Sequence, residues 1–170
     1  MKALALTGVG GLEHLTVAEL PTPHPPGPGE AMVRIHSAAF NRLDIFLANG
    51  LPGVTLQFPH IVGSDGAGTV ESVGAGVSAL RPGDRVMINP VLSCGRCLAC
   101  SDGEESLCQG LQVVGEHRGG TAAEYVVLPA DNLALVPERM PWDRAAAFSL
   151  ATLTAWRMLV GRAALRPGET

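Results

Sequence analysis

Four cysteines, Cys94, Cys97, Cys100 and Cys108, make up the whole cysteine complement of a 170-residue chain, and all four lie in the single segment SCGRCLACSDGEESLCQG. Their spacing is C-x2-C-x2-C-x7-C. Cross-links confined to one short loop would constrain little of a chain this long, so the set makes a poor disulfide framework. Thiolates at this spacing can instead close a tetrahedron around Zn2+, with Gly95 and Gly103 easing the tight turns between them. Four thiolates fill that shell and leave no position for water or substrate, so such an ion staples a loop and polarises nothing. An iron–sulfur cluster also takes four cysteines, but the bacterial run C-x2-C-x2-C-x3-C-P is shorter at its end and finishes on proline, where Gln109 stands here. Reduced, metal-free thiols are the bland alternative, and they leave the clustering unexplained. One structural zinc per chain is the expectation.

The elements that must carry this loop are β-rich. From Met1 to about Val136 the chain reads as short runs cut by Gly and Pro: KALALTG, EHLTVAELP, EAMVRIHSAAF, AGTVESVG, DRVMINP and AEYVVLP. Between them PTPHPPGPGE, LPGVTLQFP and RPGD end strands and set turns, the texture of a closed or nearly closed antiparallel barrel. At Pro141 the composition turns helical, and a helix is expected through to Leu165, where Arg166, Pro167 and Gly168 stop it and the chain approaches another strand at Thr170. Gly74, Gly76 and Ala79 spell G-x-G-x-x-A after an apolar run, imitating a dinucleotide fingerprint. A true fingerprint opens a helix, and Arg81, Pro82, Gly83 and Asp84 forbid one here, so the motif reads as a barrel turn.

Bulk properties exclude several classes of partner. A hydrophobic content of 46% allows one full-sized core. The net charge is −4, and the cations, all Arg except Lys2, are scattered without a stripe, so nucleic acid is not an expected partner. The N-terminus MKALALTGVGG lacks the apolar region of a signal peptide, and no stretch approaches the ~20 apolar residues of a membrane span. A soluble, cytoplasmic protein acting on a small molecule is expected.

Taken together, the cysteine segment set between GDRVMINP and GGTAAEYVVLPADNLALVPE, GSDGAGTVESVG at Gly63 to Gly74, RPGDRV at Arg81 to Val86 and FSLATLTAW at Phe148 to Trp156 resemble the zinc-type alcohol dehydrogenases of the medium-chain dehydrogenase/reductase superfamily. The resemblance covers essentially the whole chain. It implies a mainly β fold, a GroES-like, partly open barrel over residues 1–140 with a structural zinc lobe at 90–110. Residues 141–170 would then be a helical connection to a Rossmann domain lying beyond Thr170. It also implies hydride transfer with NAD(H) or NADP(H) in the cleft between the two domains. With the cofactor's main anchor beyond Thr170, the chain alone is expected to be inactive. Homodimers or homotetramers are the oligomers the family suggests.

The sequence departs from the zinc-catalytic members at each ligand position. Those hold a reactive metal with a Cys after the third strand, a His-Glu pair and a later Cys or acid. Here Asn41, then Ser64 and Asp65, then Leu150 stand at those places, and only Asp44 is retained. Amide, hydroxyl and alkyl groups cannot replace thiolate and imidazole donors, so the catalytic zinc is expected to be missing. The NRLD run and GSDGAG look more like the quinone oxidoreductase branch, where no metal assists; that branch generally lacks the four-cysteine lobe. An intermediate type is implied.

Candidate site residues follow from the resemblance, each beside a plainer reading. Asn41 hydrogen-bonds the nicotinamide or substrate, or simply caps the helix NRLDIFLANG. Arg42 binds the cofactor pyrophosphate, or is a solvated cation. Thr154 sits beside the nicotinamide, or bonds a carbonyl one turn back. Asp44 and Asp65 are the acids nearest the presumed cleft, able to tune a proton donor or pair with Arg42. His60 and His117 read as structural histidines, although with Asp65 they could build a non-standard metal site, making the parent a zinc alcohol dehydrogenase with altered ligands. A rival from another class is a zinc-stapled barrel that binds or assembles without catalysis. Phe148, Leu150, Leu153, Trp156, Leu159 and Val160 form an apolar face that would lie exposed without a covering domain.

Overall fold

The computed structural model describes residues 1–169; Thr170, with the expected approach to a further strand, lies outside the described residues. Ten strands form: β1 (Lys2–Leu6), β2 (Leu15–Glu19), β3 (Glu30–Ala39), β4 (His60–Ile61), β5 (Asp65–Val73), β6 (Arg85–Ile88), β7 (Val91–Leu92), β8 (Gln112–Val113), β9 (Tyr125–Pro129) and β10 (Leu133–Leu135). Each apolar run read from the sequence contains one of them. Three helices accompany them: α1 (Arg42–Ala48), α2 (Leu98–Ser101) and α3 (Trp142–Trp156).

The strands pair antiparallel into a five-stranded sheet of order β10-β6-β5-β3-β9, a three-stranded sheet β2-β1-β4 and the short pair β7-β8. Neither larger sheet closes on itself, so the GroES-like barrel is partly open, as expected. Alternation along the strands feeds one main core in which Val33, Val70, Val86, Ile88, Val114 and Leu128 are fully buried. A second core, Leu6, Leu47, Ala48 and Val62, holds α1 against β1. Gly74 and Gly76 lie in the turn after β5, with no helix following, so the G-x-G-x-x-A string is the barrel turn it was read to be.

α3 is more than a connection. Ala145 and Ala146, small enough to let the helix approach closely, are buried with Ala67 and Val136 in a third core. Trp142 at its first turn stacks on His36 at 4.6 Å and carries the Arg85 guanidinium 3.5 Å from its ring centroid. The helix ends earlier than expected. After Trp156 the backbone widens to a π-helix over Arg157–Arg162, and the Ala163 amide donates five residues back to the Met158 carbonyl. Ala164 then takes a left-handed φ of 51°, and the Leu165 amide reaches back to Leu159. The expectation of a regular helix to Leu165 fails because Gly161 weakens the last turn, so termination precedes Pro167 instead of waiting for it.

Candidate functional site

The cysteine loop runs between β7 and β8 and has almost no core of its own. Among its hydrophobic side chains Leu98 is 79% and Leu107 62% exposed, and α2 buries no residue. What converges is sulfur. All four Sγ atoms lie within 4.8 Å of one another, with Cys97 to Cys100 at 3.4 Å and Cys94 to Cys100 at 3.9 Å. A tetrahedron with Zn–S bonds of ~2.3 Å has edges of ~3.8 Å, so the four sulfurs match the shell of a zinc thiolate site. The backbone amides of Arg96 and then Cys97 point at the Cys94 sulfur and bring its thiol down to about 6, whereas the Cys97 thiol, despite a donor at Cys100, is pushed up to about 11 by the neighbouring thiols and desolvation. Among the described residues these four are the only group of three or more His, Cys, Asp or Glu side chains placed to hold an ion.

A second constellation forms where α1, β5 and α3 meet. Asn41 precedes α1 with extended backbone, and its amide donates to Asp44 Oδ2 at 2.7 Å, half of a reciprocal cap. Asp44 Oδ1 accepts the Gly63 amide at 2.7 Å, so this buried carboxylate ties α1 to the segment before β5. Gly63 needs its identity twice over: its φ is +91°, and a Cβ would stand 2.9 Å from Thr121 Oγ1. Asp65, only 2% exposed, accepts Asn41 Nδ2 at 3.0 Å on one oxygen and the Leu150 amide of α3 at 2.9 Å on the other. Its own carbonyl accepts the Thr121 hydroxyl at 2.6 Å. Burial raises the Asp65 carboxyl above its ordinary value, the two donors oppose that rise, and the nearby Asp44 charge adds to it. Ser64 Oγ is fully buried and finds no partner within the described residues.

The sequence-derived candidates therefore divide. Asn41, Asp44, Ser64, Asp65 and Leu150 come together, although Leu150 takes part through its backbone amide. Arg42 and Thr154 are exposed and line two different cavities. Arg42, with Asn41 and Asp44, lies on a cavity of about 600 Å3 whose other walls include Leu6, Phe40 and Val62. Thr154, with Leu150 and Trp156, lies on one of about 470 Å3 between α3 and the cysteine loop. The Asp65 carboxylate, bonded to Asn41 on one cavity and Leu150 on the other, stands where the two approach. No ion pair forms from Asp44 or Asp65 to Arg42; their carboxylate oxygens accept instead from N–H groups of Asn41, Gly63 and Leu150. His60 is buried with Nε2 2.8 Å from the Gly115 carbonyl, and His117 Nδ1 accepts the Val113 amide at 3.2 Å. Both make structural bonds.

Two participants escaped the sequence reading. Thr121 carried no signal beyond sitting in GGTAAEY, and Glu104 looked like one more acid in the cysteine loop. The carboxylate of Glu104 accepts from Arg157 and, at 3.3 Å, from Arg162, linking the loop to the end of α3.

Known proteins share this architecture and sequence. A crystal structure described as an NAD-dependent alcohol dehydrogenase superimposes with a TM-score of 0.95 at 50% identity, over 99% of this chain and 49% of that one. An L-threonine 3-dehydrogenase of Anaeromyxobacter dehalogenans (strain 2CP-C) is 40% identical over 124 residues, 72% of this chain and 36% of its own length. An alcohol dehydrogenase of Schizosaccharomyces pombe is 34% identical over 161 residues, 94% of this chain and 45% of its own length. The chain thus spans about a third to a half of the relatives it matches. No helix among the described residues is long and apolar enough to cross a membrane. The sequence model of the alcohol dehydrogenase GroES-like domain matches residues 27–138, and the chain belongs to that family, within the medium-chain dehydrogenase/reductase superfamily.

Proposed function

We propose that this chain is the substrate-facing portion of a nicotinamide-dependent oxidoreductase, with a zinc-stapled loop and no metal at the reacting oxygen. The observation that carries the reading is the Asn41–Asp65–Leu150 knot. At the point where catalysis would occur the side chains are an amide already donating to a carboxylate, an unpartnered hydroxyl and an alkyl group. Such a set does not fit a catalytic zinc, which takes thiolate and imidazole and keeps one open position. The four-thiolate loop does fit zinc, in a closed and therefore structural role. The dehydrogenase names of the relatives support an oxidoreductase, and a carbonyl, enone or quinone is the substrate class that a metal-free site can polarise by hydrogen bonding.

In this reading the nicotinamide cofactor supplies or takes the hydride when bound, and its nucleotide end is anchored outside residues 1–169. What the chain contributes is position. Asn41 lines the cavity of about 600 Å3 and keeps one N–H free after bonding Asp65, a donor of the kind an oxygen gaining negative charge there would need. Asp44 holds the Asn41 backbone in place. Arg42 is free to meet a phosphate, and Thr154, exposed one turn beyond Leu150, to meet the nicotinamide ring.

Metal analysis and kinetics test the reading together. A protein carrying this chain with a nucleotide-binding domain should hold about one zinc per chain and reduce small carbonyl, enone or quinone substrates. Asn41→Ala should lower turnover by roughly 10²-fold, the usual loss for one donor at a developing oxyanion. Two zincs per chain would instead point to a zinc alcohol dehydrogenase with altered ligands. The chain alone should bind NAD(P)H weakly, and micromolar affinity would contradict the placement of the cofactor's anchor.

A further inference from the structure

We infer that Asp65 is a positioning residue: its buried carboxylate is the crosspiece that sets which way the Asn41 amide faces and where the middle of α3 sits. This deepens the reading above, on which its importance for catalysis rests, but the crosspiece is itself a claim about the folded chain.

Three observations carry it. First, the carboxylate spans long separations in sequence, bonding Asn41 Nδ2 at 3.0 Å and the Leu150 amide at 2.9 Å, so one group joins the entrance of α1 to the middle of α3. Second, it cannot swing away. Asp65 opens β5 paired with Ala39 of β3, its carbonyl is held by the buried Thr121 hydroxyl at 2.6 Å, and the residue is 2% exposed. Third, both oxygens accept from N–H groups. A proton on either oxygen would compete with one of these donors, so the observed bonds are those of an acceptor holding two partners.

The consequence for Asn41 follows from the two ends of its amide. Nδ2 against the carboxylate is a charge-assisted bond, whereas a flipped amide would set oxygen against oxygen at the same distance. The carboxylate therefore favours the same orientation as the other half of the reciprocal cap, in which the Asn41 side chain accepts from the Asp44 backbone amide, and it leaves the second N–H of Nδ2 pointing away from Asp65. The consequence for α3 is placement of its exposed half. Ala145 and Ala146 hold the start of the helix in the core, and the Leu150 amide is the next fixed point before Thr154.

The test uses NMR on the zinc-loaded 170-residue chain. In the unmodified chain the Asn41 side-chain amide should show one proton shifted downfield and slowed in exchange, and the Leu150 amide should be strongly protected. In Asp65→Asn, whose single carbonyl oxygen can serve only one of the donors well, one of these two sites should exchange at least about tenfold faster while Ala145 and Ala146 keep their rates. Asn41→Ala, which spares the carboxylate, should leave Leu150 protected, and it stands in if Asp65→Asn does not fold. Solvent-like Asn41 protons in the unmodified chain, or both sites unchanged in folded Asp65→Asn, would overturn the proposal. Turnover is a separate readout: in an active protein carrying the chain, Asp65→Asn should lower kcat with KM little moved. Intact bond signatures in a protein without oxidoreductase activity would sink the proposed function and leave the crosspiece standing.

Discussion

Removing zinc from the cysteine loop should cost a definite amount of stability. The perturbation is Cys97→Ser, or a chelator added under reducing conditions to the unmodified chain. An ion held by all four cysteines would join Cys94 to Cys108 and so close a loop of about 15 residues, and a cross-link over such a loop is worth about 3 kcal/mol through the entropy it removes from the unfolded chain. Packing within the loop offsets little of the loss, since Cys108 is its one buried side chain and Leu98 and Leu107 face solvent. For a domain of this size each kcal/mol moves the midpoint by about 2–4 °C, so Tm should fall by roughly 6–12 °C. The main core, built on β3, β5, β6 and β9, uses none of the four sulfurs, so unfolding should stay cooperative and amide exchange should rise chiefly in the loop. Circular dichroism melts with and without chelator, paired with zinc analysis, measure both. The Cys97→Ser protein should already melt low and should ignore the chelator. A Tm shift below about 1 °C on verified zinc loss would refute the reasoning, because it would mean that protein contacts alone order the loop.

Other expectations follow from single residues. Gly63→Ala forces an L side chain into φ +91° and a Cβ to 2.9 Å from Thr121 Oγ1. The left-handed backbone alone should cost roughly 1 kcal/mol in chemical denaturation and the close approach should add to it, so an unchanged midpoint would show that the turn can relax. In the tail Trp156 is 66%, Met158 60% and Leu159 49% exposed. The isolated chain should therefore self-associate in light scattering and Trp156→Glu should reduce it; a monodisperse monomer would count against the patch being sticky. His36 is exposed at its edge, and partial desolvation, then the charges of Arg34 and Arg85, lower its pKa, so the fold slightly prefers the neutral ring. That preference stabilises fully above about pH 6.5 and is lost as pH falls through the lower folded value, so His36→Phe should flatten the acid side of a pH–stability profile. An identical slope in the variant would show that His36 does not titrate against its two arginines.

Much of this was legible because the signals were local. Strand runs announced themselves by β-rich composition between Gly and Pro, and the spacing of the four cysteines pointed to the cluster of sulfurs that the fold brings together. Asn41 as a cap could be read from its place before RLDIF. Harder to see were contacts whose partners lie far apart in sequence. No local rule tells that Asp65 accepts a backbone amide from Leu150, because a main-chain N–H has no residue identity to recognise. Leu150 looked like a lost ligand when judged by its side chain, yet its role lies in its backbone. The π-helical end of α3 escaped for a related reason, since widening by one residue depends on hydrogen-bond geometry that composition encodes only weakly.

The same long-range contacts link the cysteine loop to the constellation around Asp65. α3 is held at three places: its first turns by Ala145 and Ala146 in the core, its middle by Asp65, and the π-helix that follows by Glu104 through Arg157 and Arg162. Glu104 lies between the third and fourth cysteines, so its position depends on the turn that the metal closes. Each half-exposed ion pair contributes only about 0–1 kcal/mol, too little to hold a helix by itself. With the other two supports in place, a weak third contact still limits how far the exposed face bearing Thr154 can swing. A zinc ion held by the four cysteines would thus act on α3 as a restraint, carried by a carboxylate and two arginines, while the Asn41 amide is oriented by Asp65 and by its cap with Asp44.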